Sequence, residues 1–407
     1  MSLRWILGLL LAMFAWLAGA PSAQAAVWIE KNSWSEAMEV RFGQWIAEQP
    51  VNLFVSGRWG GIATDCADAA YAMRIIFAYE NALPVSFQGH SGQNLSNRSS
   101  QFDGAGEGVP RVRRFINFVS NSTNTRTLAA DTYPIRINRQ SVRPGTLFVH
   151  AAGGGDVPVT FRPGHVYYLT QVGANGIITY LSSTTPALVR PLAVRYGIEF
   201  APFYRNSGYR AWKTPGASRP HYSEEQFSLA GWRERAFRDS ALATAWTQAV
   251  LSRLSHRQAS GNERLEAAAQ NALSALRNRV ALVNRAWRLY QSKYGGKGCM
   301  SAGDYDDYST PTRDVKIQEE LGKLRSLVQS MGGRGANAIY ARYPLEIMPG
   351  YTVTLDQLWN TFMTETVLSV SEPEHSPEVR WGLSSQGRWP CPHRAKQYLG
   401  GDRINPY

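Results

Sequence analysis

Apolar residues follow two different rhythms along the chain, and the rhythm changes near residue 210. From about Val27 to Tyr209, short runs rich in Val, Ile, Tyr and Phe are separated by Gly, Asn and Ser around one long apolar stretch, Ala67 to Tyr79. That mixture predicts an α+β domain, about residues 26–210. From Ser223 onward the spacing becomes helical. Ser223-Glu224-Glu225-Gln226 has the form of a capping box, and an apolar-rich segment follows to about Leu254. Asn262 is placed to cap a second helix, in which Leu273, Leu276, Val280, Val283, Trp287, Tyr290 and Tyr294 recur at three- and four-residue intervals before Gly295-Gly296. Thr310-Pro311 opens a third, carrying Ile317, Leu321, Leu324, Val328 and Met331 up to Gly332-Gly333. Residues 223–335 therefore predict an antiparallel helical module, joined to the first domain by a linker at 211–222 that contains Pro215, Gly216, Ser218 and Pro220. Residues 336–407 read as an irregular, Pro-rich segment packed back on the helices.

The first 25 residues set the compartment. Arg4, an apolar stretch from Trp5 to Ala18, Pro21 and Ala23-Gln24-Ala25 have the three-part layout of a secretory signal peptide cleaved after Ala25. The apolar run is shorter than the roughly 20 residues of a spanning helix, so the expectation is an exported chain, periplasmic or secreted, with no stable membrane insertion after cleavage. With 44% hydrophobic residues, 13 Trp, 19 Tyr and 15 Phe, composition excludes a disordered chain. A formal charge of +12 favours anionic polymers as partners. The absence of any nucleic-acid recognition motif in an exported chain argues against nucleic acid.

An oxidising compartment favours paired cysteines. Cys299, in Gly298-Cys299, and Cys391, in Pro390-Cys391-Pro392, both sit in loop contexts in the C-terminal half and form the expected disulfide. On the chain-entropy picture such a bridge contributes on the order of 4 kcal/mol. Cys66 is left unpaired. It follows Gly57-Arg58-Trp59-Gly60-Gly61-Ile62-Ala63-Thr64-Asp65 and opens a helix that is apolar on nearly every face, with only Asp68, Arg74 and Glu80 charged. With Thr64 or Asp65 as N-cap, Cys66 stands at the helix start, where orphan N–H groups and the helix dipole favour a thiolate while Asp65 and Asp68 oppose it. A nucleophilic cysteine needs a basic partner. Of the seven histidines, His165 has the suitable context: Pro163-Gly164-His165-Val166-Tyr167-Tyr168 opens a strand, and the turn at Ala174-Asn175-Gly176 returns it as a hairpin through Ile178 to Ser183. His150, at the end of the strand after Pro144-Gly145-Thr146-Leu147-Phe148, is the reserve base, while His90, His221, His256, His375 and His393 carry no assigned chemistry.

Asp65-Cys66-Ala67-Asp68 at the head of a buried helix, Pro144-Gly145-Thr146-Leu147-Phe148, and Gly164-His165-Val166 in a hairpin together resemble the bacterial cell-wall cysteine peptidases of the NlpC type, a branch of the papain-like superfamily. The resemblance covers about a third of the chain. It implies a papain-like α+β fold with a buried N-terminal helix on an antiparallel sheet, Cys66 as nucleophile, His165 as general base, and amide bonds of peptidoglycan stem peptides as substrate. The family's third polar residue would fall near Thr179 to Ser183; no His, Asn or Gln stands there, and Ser182 is the substitute. The long separation of Cys66 from His165 implies an insertion, Gln88 to Gln140, read as a surface loop or lid.

No cofactor is implied. Two rival classes share these residues: a non-catalytic wall- or protein-binding module on an inactive papain-like domain, and a transglutaminase-like transamidase using the same acyl-enzyme. Asp304-Tyr305-Asp306-Asp307 lacks the glycine turn and terminal Glu of a calcium loop and reads as a solvated loop. Arg253, Arg257, Arg277, Arg279, Arg285, Arg288 and Lys293 form either a solvated helix face or one adhering to an anionic wall polymer.

Overall fold

A layer of helices precedes the sheet it covers. The computed structural model describes residues 26–150, 164–199, 205–216, 218–232, 240–333, 336–362, 372–385 and 391, so the expected signal peptide lies outside the described residues. Helix α1 (Glu36–Glu48) is capped by Ser35, and α2 (Cys66–Glu80) is buried over thirteen consecutive residues, as its nearly unbroken apolar sequence requires. After α2 come the hairpin of β1 (Ser86–Gln88) and β2 (Asn94–Ser96) and helices α3 (Val109–Ser122) and α4 (Thr125–Asp131). The main sheet follows: β3 (Thr132–Pro134), β4 (Leu147–His150), β5 (His165–Val172), β6 (Ile178–Ser182), β7 (Ala193–Gly197) and β8 (Gly208–Trp212). Its spatial order is β3-β8-β4-β5-β6-β7, with every neighbouring pair antiparallel, so the fold is mixed α+β with an antiparallel sheet.

Strand alternation gives the sheet two apolar faces. Leu147, Val149, Val166, Tyr168, Leu181 and Trp212 pack with α1, α2 and α3 into one core. Phe148, Leu169, Ile178, Tyr180 and Tyr209 meet Trp246, Val250 and Leu254 of α5 (Ser240–Leu254) on the other. The expected β5–β6 hairpin is present: Gly173 N–H donates to Ile177 O at 2.8 Å and Gly176, at φ +75°, donates to Gly173 O at 2.9 Å. The exposed edge of β7 is closed from the side by α6 (Gly261–Tyr294). Asn271 accepts from Tyr196 N–H at 2.8 Å and donates to Tyr196 O at 2.7 Å, a side-chain amide standing in for a further strand. Helix α6 also packs along α8 (Pro311–Ser330) through Leu273, Leu276, Val283, Ile317, Leu321 and Leu324. The Cys299–Cys391 disulfide is formed, with Cα atoms 5.6 Å apart.

Several expectations need correction. Residues 88–140 are not a surface loop. Val112, Phe115, Ile116 and Val119 of α3 are fully buried beside Leu95 and Leu128, an amphipathic helix hidden in sequence by its intervening Arg, Asn and Ser. Ser223 opens only a short turn, Glu225–Ser228, because Gln226 is fully buried and bonds Tyr209 N–H, Tyr209 O and Ile135 O, tying this segment to the sheet. Helix α5 accordingly belongs to the sheet's second layer. Ser260, not Asn262, caps α6, in a capping box with Glu263. Asp304 lies in a helix, α7 (Ala302–Tyr308), and is bonded by Lys293 Nζ and Tyr294 Oη. The supposedly irregular C-terminal part holds α9 (Ala338–Arg342), a hairpin of β9 (Leu345–Met348) and β10 (Tyr351–Val353) turning at Gly350, α10 (Leu355–Phe362) and α11 (Pro377–Arg380).

Because α3 is core, Phe115→Ala is expected to destabilise the protein by about 3–5 kcal/mol in chemical denaturation. A loss under roughly 1 kcal/mol, the size typical of surface substitutions, would return this segment to the status of a surface loop.

Candidate active site

The geometry around Cys66 begins with its cap. Asp65 N–H donates to Asp68 Oδ2 and Asp68 N–H to Asp65 Oδ1, both at 2.9 Å, so Asp65 is the N-cap and Cys66 the first residue of α2. The preceding loop is fixed from two sides. Arg113 of α3 donates to Gly60 O at 2.7 Å, and Thr64 pairs with Leu188 while its carbonyl accepts from Ser183 Oγ at 2.8 Å. These contacts press the head of α2 against the first residues of β5. The Cys66 Sγ donates to Gly164 O at 3.8 Å and receives the Val166 N–H, so the sulfur touches the backbone on both sides of His165.

The imidazole itself is turned elsewhere. Val166 faces α2, so strand alternation directs the His165 side chain out of that core, where its ring lies 4.4 Å from that of Tyr167. Among the described residues no hydrogen bond joins Cys66 to His165. His165 is directly opposite His150 in the β4–β5 register, and the Phe148, His150 and Tyr167 rings complete the group, at 5.0 Å for Phe148–His150 and 6.2 Å for His150–Tyr167. Ser182 is buried at the end of β6, paired with Ala193. Extending the pairing of Tyr168 with Leu181 sets Ser182 across from Tyr167, two pairs away from His165, and the structure gives no hydrogen bond between Ser182 and His165. It does not take the third place expected of it.

The electrostatics follow from desolvation. Burial raises the Cys66 thiol far above its usual value, reinforced by Asp65 and only partly offset by the Val166 N–H. Burial, and then His150, lowers His165 to about 3, with Glu199 pulling the other way. Thiol and imidazole are therefore both neutral near pH 7. Burial and Asp65 together raise Asp68 to about 7.

One of the charged groups acting on His165 has no signal in the sequence. Glu199, just beyond β7, is 2% exposed, lies 3.5 Å from His150 Nε2, and is paired with Arg195. Arg195 reaches Glu320 of α8 at 3.4 Å, which Lys316 meets at 2.9 Å. Burial opposes the charge on Glu199, but Arg195 and His150 hold its carboxyl well below the usual range. A glutamate inside Tyr196-Gly197-Ile198-Glu199 carried no motif; its mate, His150, is far away in sequence. Among the described residues no cluster suits a metal ion, and no helix is long and apolar enough to cross a membrane.

Comparisons with protein-family models, with curated proteins and with solved structures found no match to this chain.

Two titrations are expected. The His165 folded-state value is depressed, so its contribution to stability is present above pH about 6.5 and is lost as pH falls toward 3. Its ring-proton resonance should stay fixed from pH 8 to 5, and a midpoint near 6.5 would show a solvated ring. The Asp68 value is raised, so the native state holds the proton more tightly than the unfolded chain. Stability attributable to it should fall as pH rises from about 4 to about 7, and Asp68→Asn, which keeps the acceptor to Asp65 N–H, should flatten that slope in denaturation curves.

Proposed function

We propose that the chain is an exported cysteine hydrolase of amide bonds on a papain-like scaffold, acting on peptidoglycan stem peptides, and that the arrangement described above is its resting state. One observation carries the reading: the sulfur at the first residue of a buried helix is seated on the two backbone groups that flank His165. A turn of the His165 ring from Tyr167 toward the sulfur completes the pair. The imidazole takes the thiol proton, the thiolate forms a C–S bond at the amide carbonyl, and backbone N–H groups at the start of α2 stabilise the oxyanion. The C–N bond breaks as the imidazolium returns the proton to the leaving amine, and water then hydrolyses the thioester, restoring the thiol.

The helical module supports a wall location. Arg277, Arg285 and Arg288 of α6 are exposed, which suits an anionic polymer. Arg279 is not among them: it is fully buried and paired with Asp314 at 2.6 Å. Arg257 and Lys293 are engaged by Glu263 and Asp304.

A non-catalytic wall-binding role is the second reading, favoured by the desolvated thiol and by His165 facing away from it. Alkylation separates the two. The hydrolase reading expects iodoacetamide to label Cys66 of the native protein below pH 8, with His165→Ala slowing labelling at least about tenfold, and Cys66→Ala abolishing release of new amines from purified sacculi. A Cys66 inert until denaturation would sink the hydrolase in favour of the binding module.

A further inference from the structure

Ser182 makes no hydrogen bond to His165, yet a polar group does stand across from His165 on the opposite neighbour strand. His150 on β4 is its register partner, and Glu199 lies behind His150 at 3.5 Å. We infer that Glu199 is a positioning residue of the candidate site, acting through His150 to orient the His165 imidazole. This inference rests on the hydrolase reading and deepens it.

Three features support it. First, the placement is right: His165 and His150 are register partners on one face of the sheet and their rings both pack against Tyr167, while Ser182 lies across from Tyr167, two pairs along from His165. Second, the carboxylate is fixed at both ends. Its side chain is held by Arg195 and its backbone carbonyl accepts from Trp246 Nε1 at 2.7 Å, so Glu199 cannot swing away without disturbing a fully buried tryptophan. Third, burying a carboxylate is costly unless it is paired, and Arg195 alone satisfies that need; a histidine placed on its other side is surplus to a purely structural ion pair. A carboxylate that holds a histidine in one tautomer and ring orientation is the usual means of preparing a base for proton transfer. Among the described residues, the other titratable and charged groups around Glu199, His150 and His165 include Arg195 on β7, Tyr167 on β5, Tyr180 on β6, Tyr209 on β8, and Lys316 and Glu320 on α8.

The alternative is that Glu199 serves only the chain of ion pairs tying β7 to α8. Glu320→Gln breaks that chain on the side away from His150 and is the control. The experiment measures iodoacetamide labelling of Cys66 in the full-length protein from pH 5 to 9, with melting temperature, for the wild type, Glu199→Gln, Glu199→Asp, His150→Gln, His165→Ala and Glu320→Gln. The expected result is a pH profile displaced and a neutral-pH rate reduced at least about tenfold in Glu199→Gln and in His150→Gln, partial recovery in Glu199→Asp, and a wild-type profile in Glu320→Gln even where its melting temperature falls as far. A Glu199→Gln profile that matches the wild type, or that changes only as Glu320→Gln does, overturns the positioning role while a His165→Ala effect leaves the hydrolase standing. Labelling independent of His165 overturns both.

Discussion

Everything in the first domain answers to one constraint: helix α2 must be buried on all sides. Its sequence offers no polar face, so a single covering layer would leave apolar surface in water. The sheet covers one side, α1 another and α3 a third, and the segment between residues 88 and 140 exists as ordered structure because it supplies that third wall. The cost of total burial falls on the one basic side chain inside. Arg74, 2% exposed, is gripped by both oxygens of Glu39 at 3.0 and 2.6 Å, and its guanidinium lies 3.5 Å over Trp34. An unpaired cation there would be prohibitive, and the bidentate pair removes most of the penalty.

The same constraint determines the chemistry available to Cys66. A helix sunk to its first residue carries its N-terminal cysteine into a dry setting, where desolvation outweighs the helix dipole and the neighbouring Asp65 adds repulsion. The position a nucleophile would occupy is thus also the position that keeps a thiol protonated. Under the proposed hydrolase reading, activation has to come from a partner brought to the sulfur, and the backbone on both sides of His165 already touches that sulfur. On the sheet's other face Glu199 and Arg195 bury opposite charges against the C-terminal helices, so the imidazole surroundings are shared between the two halves of the chain. The helical half accordingly does more than append a basic surface: it closes the β7 edge through Asn271 and supplies Lys316 to the electrostatic setting of His165.

Much of this was legible locally. The capped helix start at Asp65-Cys66, the Asn175-Gly176 hairpin, the helices ending at Gly295 and opening at Pro311, and the Cys299–Cys391 bridge all depend on backbone preferences and spacings that operate within a few residues, or on two cysteines left with no other partner. What misled was locality itself. The polar residues interleaved through α3 disguised an apolar stripe, and Ser223-Glu224-Glu225-Gln226 looked like a helix start although its glutamine serves the sheet.

By itself, the sequence determined which segments could be helix or strand, which cysteine stayed unpaired, and that a thiol would stand at a helix head, because these follow from periodicity, capping and composition. Only the tertiary structure decided the rest: that Cys66 is desolvated, that His165 faces Tyr167 and His150, that Arg279 is buried against Asp314, and that Glu199 stands behind His150. Each of these is a matter of which strand face meets which layer and which distant side chain arrives there. Register and packing fix such contacts between residues that share no local pattern.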